Sequence, residues 1–540
     1  MNKIPFLALL ISFGLSSCNQ NESERISPIN SKWKYGIETP NLNIFFDARM
    51  EILYIFGEYS DYFLINNYED YAYRDSVHAH FDEYADHEAI TFYKQLVDSG
   101  FQYDAQPTLI LSLTDSLTFR KNSSFDLFEE RIGGVENAEK LTALIQKFYV
   151  DTDFESFFYR MRPIYDRVIV EIREGTEDGK GLSVLEDYYG KKQASYNIVP
   201  LMLGTGNFGP RIELDEGYFE VYDFHSALKL GGVEGLFAGK AMFEDVLQHE
   251  FSHSFVAQLT HPKGDSLMDY LDTLYAPIQS QMEKLAYTKW SIAADEHLIR
   301  AISNRLVRQL KGEEEAYFHR LGEISMGFVY LDALTHALEE YEQNRDKYPV
   351  FDDFFPVILK TWEQLEAFEG KFYPTIRSSL PDRVVYSDKE ADTLSLDSLH
   401  RRFDPWGRYE ATMDTLDLEN LRVIVMGTSE GSEVLKEALN ATPIKIGSGE
   451  IRTDIVIKGD SLRVLFSLPH TNSELGGNLY YVGHHLSSLV KRPSVRSLFN
   501  ITPFFINYHW AVFDEKDSLV RLGFFEERED GSLTMIGKKP

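Results

Sequence analysis

The sequence has almost no cysteine, a deficit of positive charge and no long hydrophobic run. Cys18 is the only cysteine among 540 residues, which excludes a disulfide bond within the chain. No stretch reaches about 18 consecutive apolar residues, so no segment is expected to span a membrane. Lysine and arginine number 54 against 85 aspartates and glutamates, and no basic stripe offsets the net charge of −31. Nucleic-acid binding is therefore not expected, because phosphate backbones attract positive surfaces.

Proline is also scarce, whereas aromatic residues are frequent. The 19 prolines, the 14% aromatic content and the 43% hydrophobic content are typical of a folded chain rather than a disordered one. A length of 540 residues is enough for two or three domains, each with its own core.

The first 17 residues have the pattern of a bacterial lipoprotein signal peptide. Lys3 precedes an apolar run over 4–15 that is too short to span a bilayer, and Leu15-Ser16-Ser17-Cys18 resembles the lipobox. This resemblance implies export, cleavage before Cys18 and acylation of that cysteine. We expect residues 18–35 to be a polar tether and the protein to be lipid-anchored, in the periplasm or at the cell surface. Contact with the membrane is expected through the lipid only. A plain secretory peptide is the alternative.

The spacing of apolar residues predicts an α+β domain at 36–386, a polar linker at 387–415 and a smaller α/β domain at 416–540. In the first domain, helices are predicted at 49–59, 87–97, 154–171, 182–189, 240–259, 287–310 and 324–341, and strands at 108–113, 194–203 and 218–222. In the last domain, strands are predicted at 421–426, 451–457 and 462–468.

A metal-binding motif lies in the predicted helix 240–259. The run His249-Glu250-Phe251-Ser252-His253 matches the zincin motif HExxH. On a helix, the two histidines lie one turn apart on one face and can bind one zinc ion. Glu250 projects beside them toward metal-bound water, which suits it to be the general base of hydrolysis. A structural role for both histidines in the core is the alternative.

The third zinc ligand must come from another segment. The metzincin pattern is excluded, because Val256 and Leu259 stand where it requires glycine and histidine. Glu296, on the next amphipathic helix, matches the gluzincin arrangement, although Arg300 stands where thermolysin-like enzymes have an acidic residue. Pairing of Glu296 with Arg300 is the alternative role of this carboxylate. His261 and His297 are rival ligands.

Two further features are candidates for substrate contact. Tyr330 is the candidate donor to the developing oxyanion, with core packing as the alternative. The segment 204–209 precedes the HExxH helix, as substrate-binding backbone does in gluzincins, which makes Gly206 and Asn207 candidate substrate-binding residues. An ordinary glycine-rich turn explains the same segment equally well.

Residues from about 40 to 385 resemble an exported bacterial family of HExxH proteins known as a domain of unknown function. The matching segments are 77–87, 103–105, 188–190, 204–209, 249–253 and 296–301. The resemblance implies a zincin-like (gluzincin) peptidase fold, with a mixed sheet and active-site helices, and supplies no substrate.

The sequence therefore predicts a zinc metallopeptidase that acts on peptides or proteins, with Glu250 as general base. The alternative from another class is a catalytically inactive surface lipoprotein whose zincin fold serves as a binding module. Metal-assisted hydrolysis of a non-peptide bond uses the same groups and is a further alternative.

Overall fold

The computed structural model describes most of residues 26–540. The segments within this span that it leaves undescribed are 66–71, 122–130, 180, 216, 228–239, 262–268, 286, 371, 380–382, 387–408, 411–420, 430, 432, 471–476, 486–506, 517 and 529. The backbone alone is described at 178, 240–246, 377, 383–386 and 409–410. The predicted signal peptide, Cys18 and most of the predicted linker lie outside the described residues.

Six strands form the first sheet: β1 (Ser27–Asn30), β2 (Lys34–Glu38), β3 (Asn43–Asp47), β4 (Ser195–Leu201), β5 (Arg211–Asp215) and β6 (Tyr218–Ser226). Their order across the sheet is β1-β2-β3-β4-β6-β5. The central strands β3, β4 and β6 are parallel, and the other neighbours are antiparallel. The sheet is thus mixed, and β5 forms one edge.

The structure corrects the predicted tether at 18–35. Residues 27–30 form β1, and β2 begins at Lys34, so the second half of this segment belongs to the sheet. Strand β1 lies at the sheet edge with alternating half-buried and exposed residues. Such an edge strand needs few apolar residues, which explains why its polar composition resembled a linker.

The helices of the first part surround this sheet. They are α1 (Ala48–Tyr59), α2 (Ala72–Phe81), α3 (Glu88–Asp98), α4 (Ala105–Leu111), α5 (Val135–Asp151), α6 (Phe154–Thr176), α7 (Leu182–Tyr189), α8 (Lys240–Thr260), α9 (Gln279–Lys284), α10 (Trp290–Lys311), α11 (Glu313–Ser325), α12 (Leu331–Gln343) and α13 (Phe351–Glu363). Short 3₁₀ turns lie at Asp82–Tyr84, Glu177–Gly179, Asp269–Leu274 and Arg377–Ser379. Within the described ranges, no helix has the length and apolar character needed to cross a membrane.

Local sequence signals set several helix ends. The Asp47 side chain caps α1 by accepting a hydrogen bond from the Arg49 N–H. Helix α7 ends at Gly190, which has φ 68°, the left-handed conformation that favours glycine. The predicted end of this helix is confirmed.

Helices α8 and α10 pack against each other, and α8 also packs on β6. Phe251, Phe255 and Val256 of α8 are fully buried, as are Leu298 and Ile302 of α10. Burying these faces stabilises both helices and holds them at a fixed separation. The HExxH segment is therefore anchored between the sheet and α10.

The second sheet is built from the strands β7 (Arg383–Tyr386), β8 (Tyr409–Glu410), β9 (Val423–Thr428), β13 (Arg463–Pro469), β14 (Gly477–Gly483), β15 (Trp510–Phe513), β16 (Leu519–Glu527) and β17 (Leu533–Lys538). Its order is β17-β16-β15-β13-β14-β9-β7-β8. A separate three-stranded sheet contains β10 (Lys445–Gly447), β11 (Glu450–Arg452) and β12 (Val456–Lys458), and helix α14 (Glu433–Asn440) follows β9. Strand β7 pairs with β9, so residues 383–386 belong to the second sheet rather than to the first.

The two parts touch through α11. Ser325 Oγ lies 3.0 Å from His509 Nε2, and Lys538 Nζ lies 2.6 Å from a carboxylate oxygen of Glu315. The rings of Phe318 and Phe524 stack at 6.3 Å. Helix α11 therefore connects the core of the first part to the second sheet.

Three predicted elements need correction. Residues 108–111 of the strand predicted at 108–113 lie in helix α4, which tolerates Pro107 because a missing N–H costs nothing in the first turn. The helix predicted at 324–341 is divided into α11 and α12 at Gly327, whose φ of +113° breaks the helix. The strand predicted at 451–457 is two short strands, β11 and β12.

Candidate metal centre

His249 and His253 of α8 and Glu296 of α10 form one cluster. His249 Nε2 lies 3.4 Å from Glu296 Oε2, and His253 Nε2 lies 3.4 Å from Glu296 Oε1. One ligand atom from each of the three residues lies within 4.8 Å of the others. Among the described residues, this is the group of three or more potential ligands that could hold a metal ion.

The donor set fits a zinc-sized ion. Tetrahedral bonds of 2.0 to 2.1 Å place two ligand atoms about 3.3 Å apart, close to both histidine–glutamate distances. Glu296 Oε2 is buried and has no hydrogen-bond partner among the described residues. Burial lowers the pKa of His249 and of His253, which keeps both imidazoles neutral and able to donate a lone pair to a metal. A bound cation would give this carboxylate oxygen, which accepts no hydrogen bond from the described residues, a direct ligand bond.

The Glu250 carboxylate lies beside the cluster and faces two other acidic groups. Burial raises its pKa well above the ordinary value, and the charges of Asp223 and Glu296 raise it further. Arg300 opposes this shift. Gly209 lies directly against Glu250, because a Cβ on this glycine would stand 2.9 Å from Glu250 Oε2. The loop before β5 therefore fixes the position of the carboxylate.

Arg300 binds the cluster from its other side. Its Nη1 donates to Glu323 Oε2 at 2.7 Å, and its Nη2 lies 3.4 Å from Glu296 Oε2. The guanidinium also lies 4.2 Å from the centre of the Phe328 ring. The pairing of Glu296 with Arg300, which the sequence suggested as an alternative role, is therefore present. The same carboxylate also lies close to both histidines.

Tyr287 is a residue of this site that sequence reasoning missed. Its hydroxyl lies within the electrostatic reach of Glu296 and Arg300, and burial followed by the Glu296 charge raises its pKa. Tyr287 lies three residues before α10, at a position that no motif marks. Only its position shortly before the helix that carries Glu296 could have pointed to Tyr287. This is a weak indication, because the chain has 31 tyrosines.

The structure places Tyr330 away from the cluster, which corrects its predicted role as oxyanion donor. Its hydroxyl donates to the Leu274 carbonyl at 2.7 Å and accepts from the Phe368 N–H at 3.3 Å. Its ring packs against His297 and Trp362. Tyr330 is therefore a core residue, and Tyr287 is the tyrosine at the cluster.

Gly206 and Asn207, the predicted substrate-binding residues, hold the loop onto the end of β6. The Ser226 hydroxyl donates to the Gly206 carbonyl, and the Ser226 N–H donates to Asn207 Oδ1 at 2.9 Å. These contacts anchor the loop whose next glycine, Gly209, faces Glu250. These contacts give the segment a positional role in the site, and its role in substrate binding stays a prediction.

The rival ligands lie outside the cluster. His261 Nδ1 lies 3.1 Å from Asp295 Oδ2, one residue away from Glu296 on α10. His297 is fully buried, its Nδ1 lies 2.6 Å from the Ala293 carbonyl, and its ring packs against Trp290 and Phe328. Glu296 is consequently the third residue that meets the two motif histidines.

A family model described as a domain of unknown function, DUF4932, matches residues 42–361. The matched range contains the HExxH segment, Glu296 and the whole cluster, and it stops before the second sheet. No curated protein and no solved structure matches the chain.

Proposed function

Since the chain belongs to the DUF4932 family of domains of unknown function, we propose its activity from its own residues: a zinc-dependent metallopeptidase of gluzincin type. The observation that carries the proposal is the convergence of His249, His253 and Glu296 beside Glu250. Three protein ligands that leave one position open are typical of a catalytic zinc site, whereas structural sites are closed by a fourth protein ligand.

Zinc held by these residues would activate water and polarise the scissile carbonyl. Glu250 is the proposed general base that takes a proton from the attacking water and passes it to the leaving amine. Its raised pKa suits it to carry that proton between the two steps. Tyr287 is the proposed hydroxyl donor to the developing oxyanion, because its O–H lies at the ligand Glu296.

The order of elements before α8 supports a zincin-like arrangement. Strand β5 is the antiparallel edge strand, β6 follows it inside the sheet, and α8 comes next in the chain. On its outer side, β5 pairs with no strand of the described part. An extended peptide can add to such an edge by main-chain hydrogen bonds, which would place it along the metal cluster. Peptides and proteins are therefore the proposed substrates.

We also propose that the enzyme is exported and lipid-anchored through Cys18. The support is the lipobox-like run 15–18 after a short apolar segment. The polar residues after Cys18 would connect the lipid to the first sheet, which begins at Ser27.

The test combines metal analysis with peptide hydrolysis. The purified mature protein is expected to contain close to one zinc per chain and to cleave members of a peptide library, and a chelator should abolish cleavage. Ala at His249 or His253 should empty the site, while Ala at His336, an exposed histidine on α12, should not. Zinc without hydrolysis of any peptide would favour the binding-module alternative, and wild-type zinc in both cluster variants would refute the site.

A further inference from the structure

Arg211 is a charged residue near the cluster to which the proposed mechanism assigns no role. It is the first residue of the edge strand β5 and pairs with Val221 of β6. Residues two apart on a strand share a face, so Arg211 lies on the face of the sheet that also carries Asp223, whose charge acts on Glu250. The charge of Arg211 also acts on His253. Arg211 is therefore at the open edge of the sheet, beside the metal cluster.

The guanidinium of Arg211 has no polar partner among the described residues. It forms no hydrogen bond or ion pair there, and its one close contact is the Phe219 ring, 5.3 Å from the guanidinium carbon. Burial lowers the pKa of Arg211, and the charges of Asp295 and Glu213 oppose this only in part. A half-buried guanidinium whose donors have no protein partner can pair with an anionic ligand.

The nearest acidic group on α10 does not fill these donors. Asp295 uses Oδ2 in its contact with His261 at 3.1 Å, and its Oδ1 is buried without a hydrogen-bond partner in the described part of the chain. Arg300, the other arginine at the cluster, is occupied by Glu323 and Glu296. Arg211 is thus the arginine at the cluster that is free to bind an anion.

We propose that Arg211 binds a carboxylate of the substrate next to the scissile bond. This inference rests on the proposed peptidase function and names its substrate class. A guanidinium recognises a carboxylate through two parallel hydrogen bonds, and carboxylates are the anions that unmodified peptides carry. The carboxylate belongs either to an acidic side chain or to the free C-terminus, in which case the enzyme is a carboxypeptidase.

The test uses two matched pairs of fluorogenic peptides and the zinc-loaded full-length mature protein. The first pair has an amidated C-terminus and differs by Glu against Gln beside the cleaved bond. The second pair has no acidic side chain and differs by a free against an amidated C-terminus. One pair should show a kcat/KM ratio of about 10 to 100 in favour of the carboxylate, because the guanidinium forms charge-assisted hydrogen bonds with the carboxylate and not with its neutral analogue. The pair that shows the ratio identifies the source of the carboxylate.

Arg211→Gln should reduce that ratio to near one while zinc content stays at one per chain. Arg211→Lys keeps the positive charge but cannot donate two parallel hydrogen bonds, so it should retain a smaller preference for the carboxylate substrate. This variant replaces Arg211→Gln in the test if the glutamine variant fails to fold. Arg452→Gln, at an exposed position on β11, is the matched control and should retain the full ratio.

Equal cleavage of both members of both pairs, or an unchanged ratio in Arg211→Gln and Arg211→Lys, would overturn the inference and leave the peptidase function standing. The absence of chelator-sensitive cleavage of every peptide would overturn both.

Discussion

The Glu250 carboxylate and the backbone of Gly209 are in direct contact. A Cβ on Gly209 would stand 2.9 Å from Glu250 Oε2 and 3.0 Å from the Glu250 carbonyl oxygen. Side chains cannot occupy that space unless one of the two segments moves. The glycine thus allows the loop before β5 to lie against the HExxH helix, and the loop in turn limits where the carboxylate can go.

Gly209→Ala should therefore displace Glu250 and reduce turnover while the zinc stays bound, because the methyl group meets Glu250 rather than a metal ligand. We expect a loss of about 10- to 100-fold in kcat, since small misplacements of a catalytic group have effects of this size. Gly181→Ala is the control, because no atom lies within 4 Å of a Cβ at Gly181. Zinc analysis and peptide hydrolysis check both variants, and full activity in Gly209→Ala would show that this contact does not position the base.

Glu250→Gln should keep the zinc and lose about two to four orders of magnitude in rate, because glutamine cannot accept the proton from water. The metal should remain because its proposed ligands, His249, His253 and Glu296, are unchanged. Zinc content and single-turnover hydrolysis are measured on the same sample. Undiminished turnover would contradict the general-base role and show that another group takes the proton from water.

The two tyrosines should respond in opposite ways. Tyr287→Phe removes a hydroxyl that lies near Glu296 and Arg300, so we expect kcat to fall about 10- to 1,000-fold with zinc retained. Tyr330→Phe leaves the Leu274 carbonyl and the Phe368 N–H without their partner, so it should cost about 1–3 kcal/mol of unfolding free energy and spare kcat. Urea unfolding and steady-state kinetics of both variants separate the two roles. A kcat loss confined to Tyr330→Phe would reverse the assignment.

Much of the cluster could be predicted from the sequence because its residues are regularly spaced on helices. His249 and His253 are one turn apart on a single helix, and Glu296 lies on a later amphipathic one. Tyr287 and Arg211 could not be found in this way, because a loop and an edge strand bring them to the site through tertiary packing. The same reason explains Tyr330, which was predicted within a helix but lies in the turn before α12, where the sequence did not indicate the direction of its hydroxyl.

The errors in the fold have local causes. A run of six residues with four apolar ones after a proline suits a short strand or a buried helix, and most of it lies in helix α4. Strands β1 and β2 begin in a polar segment, and their pairing with each other and with β3 depends on contacts that the segment alone does not reveal. The mixed α+β character itself could be predicted, because it follows from long periodic segments.

Cys18→Ala should release the protein from membranes or stall its processing. Each buried methylene of an acyl chain contributes about 0.8 kcal/mol, so several chains hold the protein firmly. A mature body of strong negative charge has no electrostatic attraction to anionic lipids that could replace them. Membrane fractionation and mass measurement of the mature N-terminus check this, and an unmodified Cys18 in membrane-bound protein would refute the lipoprotein assignment.

Glu51 of α1 is a buried carboxylic acid outside the metal cluster. The hydroxyl of Tyr73 donates to its Oε2, that of Tyr165 lies 3.3 Å away, and the Met202 N–H also donates to the carboxylate. Burial nevertheless dominates and raises the pKa of Glu51 to about 7. The folded protein therefore holds a proton on Glu51 at pH values where the unfolded chain has released it.

This difference makes stability fall as pH rises. Between the unfolded pKa of 4.5 and the folded pKa of about 7, the folded state binds more protons, so the unfolding free energy decreases with pH and levels off above 7. The full change is about 3 kcal/mol, since each pKa unit is worth about 1.4 kcal/mol. Glu51→Gln has no proton to lose, so from pH 5 to pH 8 it should gain about that much stability relative to wild type. Urea unfolding at the two pH values measures this gain. Glu174→Gln, at an exposed position on α6, serves as the control. The same change of unfolding free energy with pH in wild type and in both variants would show that Glu51 of the folded protein is ionised throughout this pH range.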